Sequence, residues 1–220
     1  MSVIFKSKIK EIEQELLIMG KMVIDACIKS VNALEKKDLL KAKEVIKEDE
    51  LINEKQFDIE NKCISLIATQ HPLVSQLREI IAIIYIISEL ERIGDYAEGI
   101  GKIVLMLGEN SFVNIPDELK LMSKKAVKMI YESLDSLMER NIKKAKLLYK
   151  KDDEVDELYS DVYNKLLLTM IKKPEHITIH TYYIWIAHNL ERMADRTTNI
   201  SERVIYLVTG EHNEEMVSKY

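Results

Sequence analysis

Leu90-Glu91-Arg92-Ile93-Gly94-Asp95 returns one hundred residues later as Leu190-Glu191-Arg192-Met193-Ala194-Asp195. Each phrase sets a Glu and an Asp four residues apart, so on a helix both carboxylates share one face. Like charges at that spacing repel by about 0.2–0.5 kcal/mol. A repulsion kept at matching places in two halves of a chain points to something positive beside it, most simply a metal ion. The repeat also says that the chain is built from two copies of one unit.

The surrounding sequence says what that unit is. Six Gly and three Pro among 220 residues leave few places to turn, so the elements must be long. Aromatic residues at 6%, with abundant Leu, Ile, Lys, Glu and Met, favour helix over strand. Near the start, Ile9, Ile12, Leu16, Met19, Val23, Ala26, Ser30 and Ala33 recur in alternating steps of three and four, the seam of a helix in a bundle. A break near Lys37-Asp38 leads to a second helix that ends around Gln70-His71-Pro72, where proline stops it. A third helix then runs from about Leu73 to Leu107. Gly108 to Pro116 reads as a linker, with Asn114 and Pro116 suited to a helix start and Asp117 and Glu118 to its first turn.

The unit then repeats. Leu34, Lys41-Ala42-Lys43, Lys47 and Asp49 return as Leu137, Lys144-Ala145-Lys146, Lys150 and Asp152, at an offset of 103. Ile84, Ile86, Ile100 and Val104 return as Ile184, Ile186, Ile200 and Val204, at an offset of 100. The expected fold is all-α: six long helices in two similar three-helix bundles made by internal duplication. The first bundle covers residues 1–108, a linker 109–116, and the second bundle 117–220. Helices of about thirty residues would each be roughly 45 Å long.

An antiparallel hairpin sets residues equally far from its turn side by side. Asp49 lies 23 residues before Pro72 and Asp95 lies 23 after it; Asn53 and Glu91 both lie 19 away. In the second half Asp152 and Asp156 precede Pro174 by 22 and 18 residues, and Glu191 and Asp195 follow by 17 and 21. Each half thus brings an Asp-x-x-x-Asn/Asp pair level with a Glu-x-x-x-Asp pair. Oxygen donors of this kind suit a hard cation such as Mg²⁺ or Mn²⁺, or iron. Asn199 and Glu202 continue the face after Asp195, and Glu98 does so after Asp95. Gly94 and Ala194 are small enough to let another backbone approach. The bland alternative is a solvated face on which Arg92 and Arg192 neutralise the acids without metal.

Other features are read as structural. The five histidines form no Glu-x-x-His pair, against a ferritin-like di-iron site, and His180 and His188 fall at the edge of the sixth helix's packing face. Tyr182, Tyr183 and Trp185 suit core or dimer packing, and the methionines fill gaps. The Lys-Ala-Lys copies read as solvated surface. Cys27 and Cys63, with no CxxC spacing and no secretory signal before them, suit buried thiols in a reducing cytoplasm. A net charge of −5 argues against nucleic acid as a partner. The most apolar run, Ile80 to Ile87, is too short to span a bilayer. No nucleophile–base pairing, Gly-rich phosphate loop or CxxC pair suggests catalysis.

These residues resemble the PhoU family of phosphate-specific transport accessory proteins. The similarity rests on Met19-Gly20-Lys21-Met22-Val23, on Asp49 through Asn53, on Gln70-His71-Pro72 before Leu77-Arg78, and above all on the two acidic phrases, the second continuing through Asn199-Ile200. The resemblance implies two spectrin-like bundles, frequent homodimers, and iron, zinc, manganese or magnesium held at the acidic motifs. It carries over most firmly to Glu91, Asp95, Glu191 and Asp195, and less so to Asp49, Asn53, Asp152 and Asp156, with Asn199 continuing the second motif. It further implies a non-enzymatic adaptor at the cytoplasmic face, reaching the membrane only through its partners. Those partners are the ATPase subunit of the phosphate ABC transporter and a PhoR-type sensor kinase, and the adaptor dampens the starvation response when phosphate is plentiful. Gly99 stands where Asn199 stands in the second half, and Arg196 replaces an often-seen His, so the two sites are expected to differ in affinity or metal. The competing class is a metal-dependent helical hydrolase, of the nucleotide pyrophosphohydrolase kind, whose acids would converge on one deep pocket.

Overall fold

The computed structural model describes residues 3–108 and 114–211. Six long helices make up nearly all of it: α1 (Val3–Lys36), α2 (Leu39–Gln70), α3 (Val74–Leu107), α4 (Asp117–Met138), α5 (Ile142–Lys172) and α6 (Ile177–Thr209). All eight seam residues of α1, from Ile9 to Ala33, are buried. The break at Lys37-Asp38 is as expected, and its geometry is repeated in the second half. Lys37 and Arg140 both take a left-handed backbone, with φ of 57° and 51°. The next residues, Asp38 and Asn141, each cap the following helix by accepting a backbone N–H three residues on. Residue type differs at both positions of this turn, yet the turn itself is duplicated.

The hairpin tips differ. In the first half His71 is left-handed (φ 46°) and Pro72 stands in a short break before Leu73. In the second half Pro174 does not sit in a bare break. It opens a one-turn 3₁₀ helix, Pro174–His176, that runs into α6, which accounts for the small difference in residue spacing between the two hairpins. Pro116 caps α4 from outside rather than starting it, and Asp117 and Glu118 occupy the first turn. Of the proposed linker, residues 109–113 lie outside the described residues, as do 212–220 of the proposed second bundle.

Within each half the three helices lie against one another, but the halves are not merely tethered. The most extensive contact between any two helices is that of α3 with α6. It runs antiparallel in a fixed register. Arg78 lies against Gly210, Arg203 sits 3.9 Å over the Tyr85 ring, Glu89 accepts from Asn199 at 3.1 Å, and Gly99 faces Asn189. Each step up α3 is matched by an equal step down α6, so Gly94 stands level with Ala194. The two acidic phrases therefore meet at the midpoint of the molecule, on an approximate two-fold axis. Arg140, at the α4–α5 turn, fastens the second half to the first by pairing with Glu13 on α1 and Glu79 on α3, both at 2.5 Å.

The apolar core is one continuous cluster drawn from all six helices. Tyr183 is wholly buried in it, whereas Trp185 is about half exposed beside Tyr182. His180 is buried rather than at the edge, and His188 is largely exposed. The lysines of Lys41-Ala42-Lys43 and its copy face outward, but Ala42 and Ala145 between them are fully buried. A Cβ on Gly101 would stand 3.1 Å from the Ala42 carbonyl, so α2 and α3 approach closely there. Burial pushes both thiols, Cys27 and Cys63, up to about 12, which leaves them inert. No described helix is long and apolar enough to cross a membrane.

A shared core predicts shared unfolding. Ile86 and Ile186, both fully buried, are counterparts in the two halves. Ile86→Ala and Ile186→Ala should each cost about 2–5 kcal/mol in a single cooperative denaturant transition. Two resolved transitions, with each substitution moving one of them, would contradict a common core.

Candidate metal centres

The first acidic centre lies between α2 and α3. Asp49 is 8% exposed, and its Oδ1 has no hydrogen-bond partner. Its Oδ2 accepts from Asn53 Nδ2 at 3.2 Å, one turn along α2. The carboxylate lies almost against the α3 backbone, since a Cβ on Gly94 would come within 3.3 Å of Oδ1. Glu91, Asp95 and Glu98 border it from α3. Burial first, then the charges of Asp95 and Glu98, push Asp49 up to about 6. Burial likewise raises Glu91, with Asp95 adding to it, and raises Asp95, with Glu98 adding to it.

The second centre is the counterpart between α5 and α6. Asp152 and Asp156 come from α5, Glu191 and Asp195 from α6. Burial, then Asp156, Asp195 and Glu191, push Asp152 up to about 7. Burial and Asp195 push Glu191 up to about 7 as well. Asp152 Oδ1 and Glu191 Oε2 are buried without a hydrogen bond. His188 Nδ1 stands 3.5 Å from that Glu191 oxygen, but burial and Arg192 hold its imidazole below the usual range, so it brings no charge at neutral pH. Asp195 is tied to Arg192 at 3.0 Å and Arg196 at 3.4 Å.

An unpaired buried carboxylate oxygen costs roughly 1–3 kcal/mol or more, and three occur here in two corresponding places. The donors are all oxygen, which suits Mg²⁺, Mn²⁺ or iron better than a thiolate-seeking metal. Among the described residues, no three His, Cys, Asp or Glu side chains draw their donor atoms close enough to hold an ion as they stand. They are turned instead toward other partners: Asp49 to the Asn53 amide, Glu98 to Lys102 at 2.5 Å, Asp195 to its arginines. The residues fit a cation as a set of donors, with the closing geometry still to be made.

Eight of the nine sequence-selected residues fall in these two centres: Asp49, Asn53, Glu91 and Asp95 in one, Asp152, Asp156, Glu191 and Asp195 in the other. Asn199 does not face the acids of α5. Its Nδ2 donates to Glu89 on α3, which Arg196 Nη1 also approaches at 3.4 Å. Asn199 thus belongs to the seam between the halves, and so does its counterpart Gly99, which faces Asn189. The Gly99/Asn199 difference therefore alters the α3–α6 seam. Glu89 escaped the sequence reading. Its signal was the offset of 100, which makes Asn189 its counterpart just as it makes Gly99 the counterpart of Asn199.

With this geometry in view, comparison with known proteins is decisive. The PhoU domain sequence pattern matches twice, over residues 16–104 and 119–204. The chain belongs to the PhoU family. It is 41% identical over 208 residues to the phosphate-specific transport system accessory protein PhoU homolog of Clostridium acetobutylicum, covering 94% of this chain and 95% of that one. The homolog of Streptococcus pneumoniae is 36% identical over 207 residues, covering 94% and 96%. The crystal structure of PhoU from S. pneumoniae superposes with a TM-score of 0.89 at 36% identity, over 96% of this chain and 99% of that one. PhoU from Pseudomonas aeruginosa gives 0.90 at 31% identity, over 94% and 100%. The two three-helix bundles are thus the PhoU fold.

The carboxyl environments set a pH dependence. Asp49, Asp152 and Glu191 have folded values above the usual 3.9 or 4.3 of an unfolded chain. The folded state therefore binds protons more readily, and the metal-free protein gains stability as pH falls from about 8 through 6. His180 and His188, held low by burial, offset part of this gain near pH 6, and below that carboxylates held low by lysine, such as Glu15 and Glu118, oppose it further. In chelator, the thermal midpoint should be at least about 3 °C higher at pH 6 than at pH 8, and Asp152→Asn should raise it at pH 8. A midpoint that climbs with pH across this window would contradict these assignments.

Proposed function

We propose that this chain is a metal-binding regulator of phosphate uptake and of the phosphate-starvation response. It acts in the cytoplasm as a non-enzymatic adaptor between the phosphate ABC transporter ATPase and a PhoR-type sensor kinase, restraining the response when phosphate is plentiful. The observation that carries the proposal is near full-length similarity to proteins named phosphate-specific transport system accessory proteins. The two carboxylate centres add a physical role.

In that role Asp49, Asn53, Glu91 and Asp95 would hold one cation, and Asp152, Asp156, Glu191 and Asp195 another, with iron, zinc, manganese and magnesium as candidates. A bound cation supplies positive charge where buried carboxylates repel. Each centre joins two helices of one hairpin, α2 to α3 and α5 to α6. Held together, the donors fix the outer faces of both hairpins, the surfaces a partner would meet. Arg192 and Arg196 hold Asp195 in place in the second centre, a support with weaker counterparts in the first, where Arg92 acts on the acids through charge.

A hydrolase would gather its acids around one substrate pocket with an attacking water. Here the acids stay divided between two hairpins, and the cavities at the bundle ends are lined by other residues.

Metal analysis of protein purified without chelator or affinity tag tests the centres. Wild type loaded with Mn²⁺ or Fe²⁺ should retain about twice the metal of Glu91→Gln or Glu191→Gln, and the double substitution should retain almost none. Equal, negligible retention by all four proteins would remove the metal role. For the adaptor role, the chain should be captured by the transporter ATPase and by the kinase; failure with both, at high and low phosphate, would remove it.

A further inference from the structure

One end of the second half carries a feature that neither the acidic centres nor the family resemblance explains. A cavity of about 1220 Å³ opens between the start of α4, the end of α5, the 3₁₀ turn and the end of α1. Five lysines line it: Lys37, Lys120, Lys124, Lys165 and Lys173. Against them stand two lining carboxylates, Glu35 and Asp117. Such an excess of positive charge is unexpected in a chain of net charge −5. The first turn of α4, with Asp117 and Lys120, also lines the cavity.

The second observation is His180. Its side chain lines the same cavity, it is 5% exposed, and neither ring nitrogen has a hydrogen-bond partner. A neutral imidazole must offer one N–H and one lone pair, so leaving both unmet in the interior is costly. His176 stands edge-on to it at 6.0 Å and completes the wall. The corresponding end of the first bundle forms a useful contrast. The cavity there, about 340 Å³, is lined by Lys8 and Lys62, but Lys8 is paired with Glu11 and Lys62 with Glu15 and Glu11. Among the described residues, no buried polar atom without a partner lines it.

We propose that the α4–α5–α6 end cavity is a binding site for a phosphate chain, an anion of two or three linked phosphoryl groups, held by Lys120, Lys124, Lys165 and Lys173 with His180 donating at its floor. Lys120 and Lys124 come from α4, Lys165 from α5 and Lys173 from the turn after it, eight residues or roughly 12 Å along the hairpin from Lys165 at helical rise, a span that suits linked phosphoryl groups better than one orthophosphate. Lys120 and Lys165 now pair with Asp117 at 2.9 Å and Glu118 at 2.6 Å, and they exchange exposed carboxylates for phosphoryl oxygens. Lysine suits this ligand because its ammonium is a compact charge that imposes no planar geometry. Among the described residues no Phe, Tyr or Trp lines the cavity to stack a base, and the lysines recognise the phosphates. The site is separate from the metal centres: Lys173 is 21 residues along the hairpin from Asp152, roughly 30 Å at helical rise.

Calorimetric titration of the full-length protein, dialysed free of metal, tests this with tripolyphosphate, pyrophosphate, orthophosphate and ATP at low salt. Tripolyphosphate and ATP should bind within a few-fold of each other, pyrophosphate more weakly, and orthophosphate at least tenfold more weakly than tripolyphosphate. Lys120→Ala/Lys124→Ala and Lys173→Ala should each weaken tripolyphosphate at least tenfold, and Lys8→Ala/Lys62→Ala should not change it. His180→Leu removes the unmet nitrogens, so its thermal midpoint should hold or rise while affinity falls. Absence of binding at 1 mM tripolyphosphate overturns the proposal. So does equal weakening by the lysine pair at the other end, or binding of ATP without tripolyphosphate.

Discussion

The antiparallel contact of α3 with α6 governs the rest of the molecule. It joins two copies of one hairpin-based unit through their most apolar helices and closes a single core. Because its register sets Gly94 level with Ala194, it also fixes the two acidic phrases at one height, back to back across an approximate two-fold axis. Arg192 of the second phrase meets Tyr96 across the seam, but neither acid pair faces it. Each is turned toward the helix before it, α2 or α5, where a second pair of polar side chains waits at the same level.

That placement carries an electrostatic cost. A carboxylate at the surface would simply be hydrated, but Asp49, Asp152 and Glu191 are buried enough to be pushed toward neutral pH, and each leaves an oxygen unmet. The cost recurs in both halves while other polar details do not. The hairpin tips differ in turn type, the seam exchanges Glu89–Asn199 for Asn189–Gly99, and only one end cavity is basic. A shared liability on a background of divergence supports the proposed binding role. The basic cavity is the opposite case: five lysines line it in one half, and only two line the end cavity of the other.

Most of the fold was legible because helices of this length are written in periodicity and punctuation. The α1 seam was read residue by residue and the break at Lys37-Asp38 from its composition, whereas the capped turn that Asp38 shares with Asn141 emerged only from the backbone. The hairpin levels followed from Pro72 and Pro174 with ordinary helical rise. What the sequence did not disclose was how the halves meet. Asn199 shares the helical stripe of Asp195, so spacing alone placed it with the acids; its true partner, Glu89, lies 110 residues away on a helix whose register periodicity cannot supply. His180 was hidden for the same reason. An imidazole at a bundle end looks like an edge residue until the 3₁₀ turn and α4 are seen closing over it.

The central claim is that each hairpin holds a cation between the acid pairs on its two helices. Anomalous diffraction from crystals equilibrated with Mn²⁺ near pH 7.5 reads this directly. The account predicts one strong anomalous site bordered by Asp49, Glu91 and Asp95, and a second bordered by Asp152, Asp156, Glu191 and Asp195. Anomalous density that leaves both places empty, or that settles on scattered surface carboxylates instead, would contradict it.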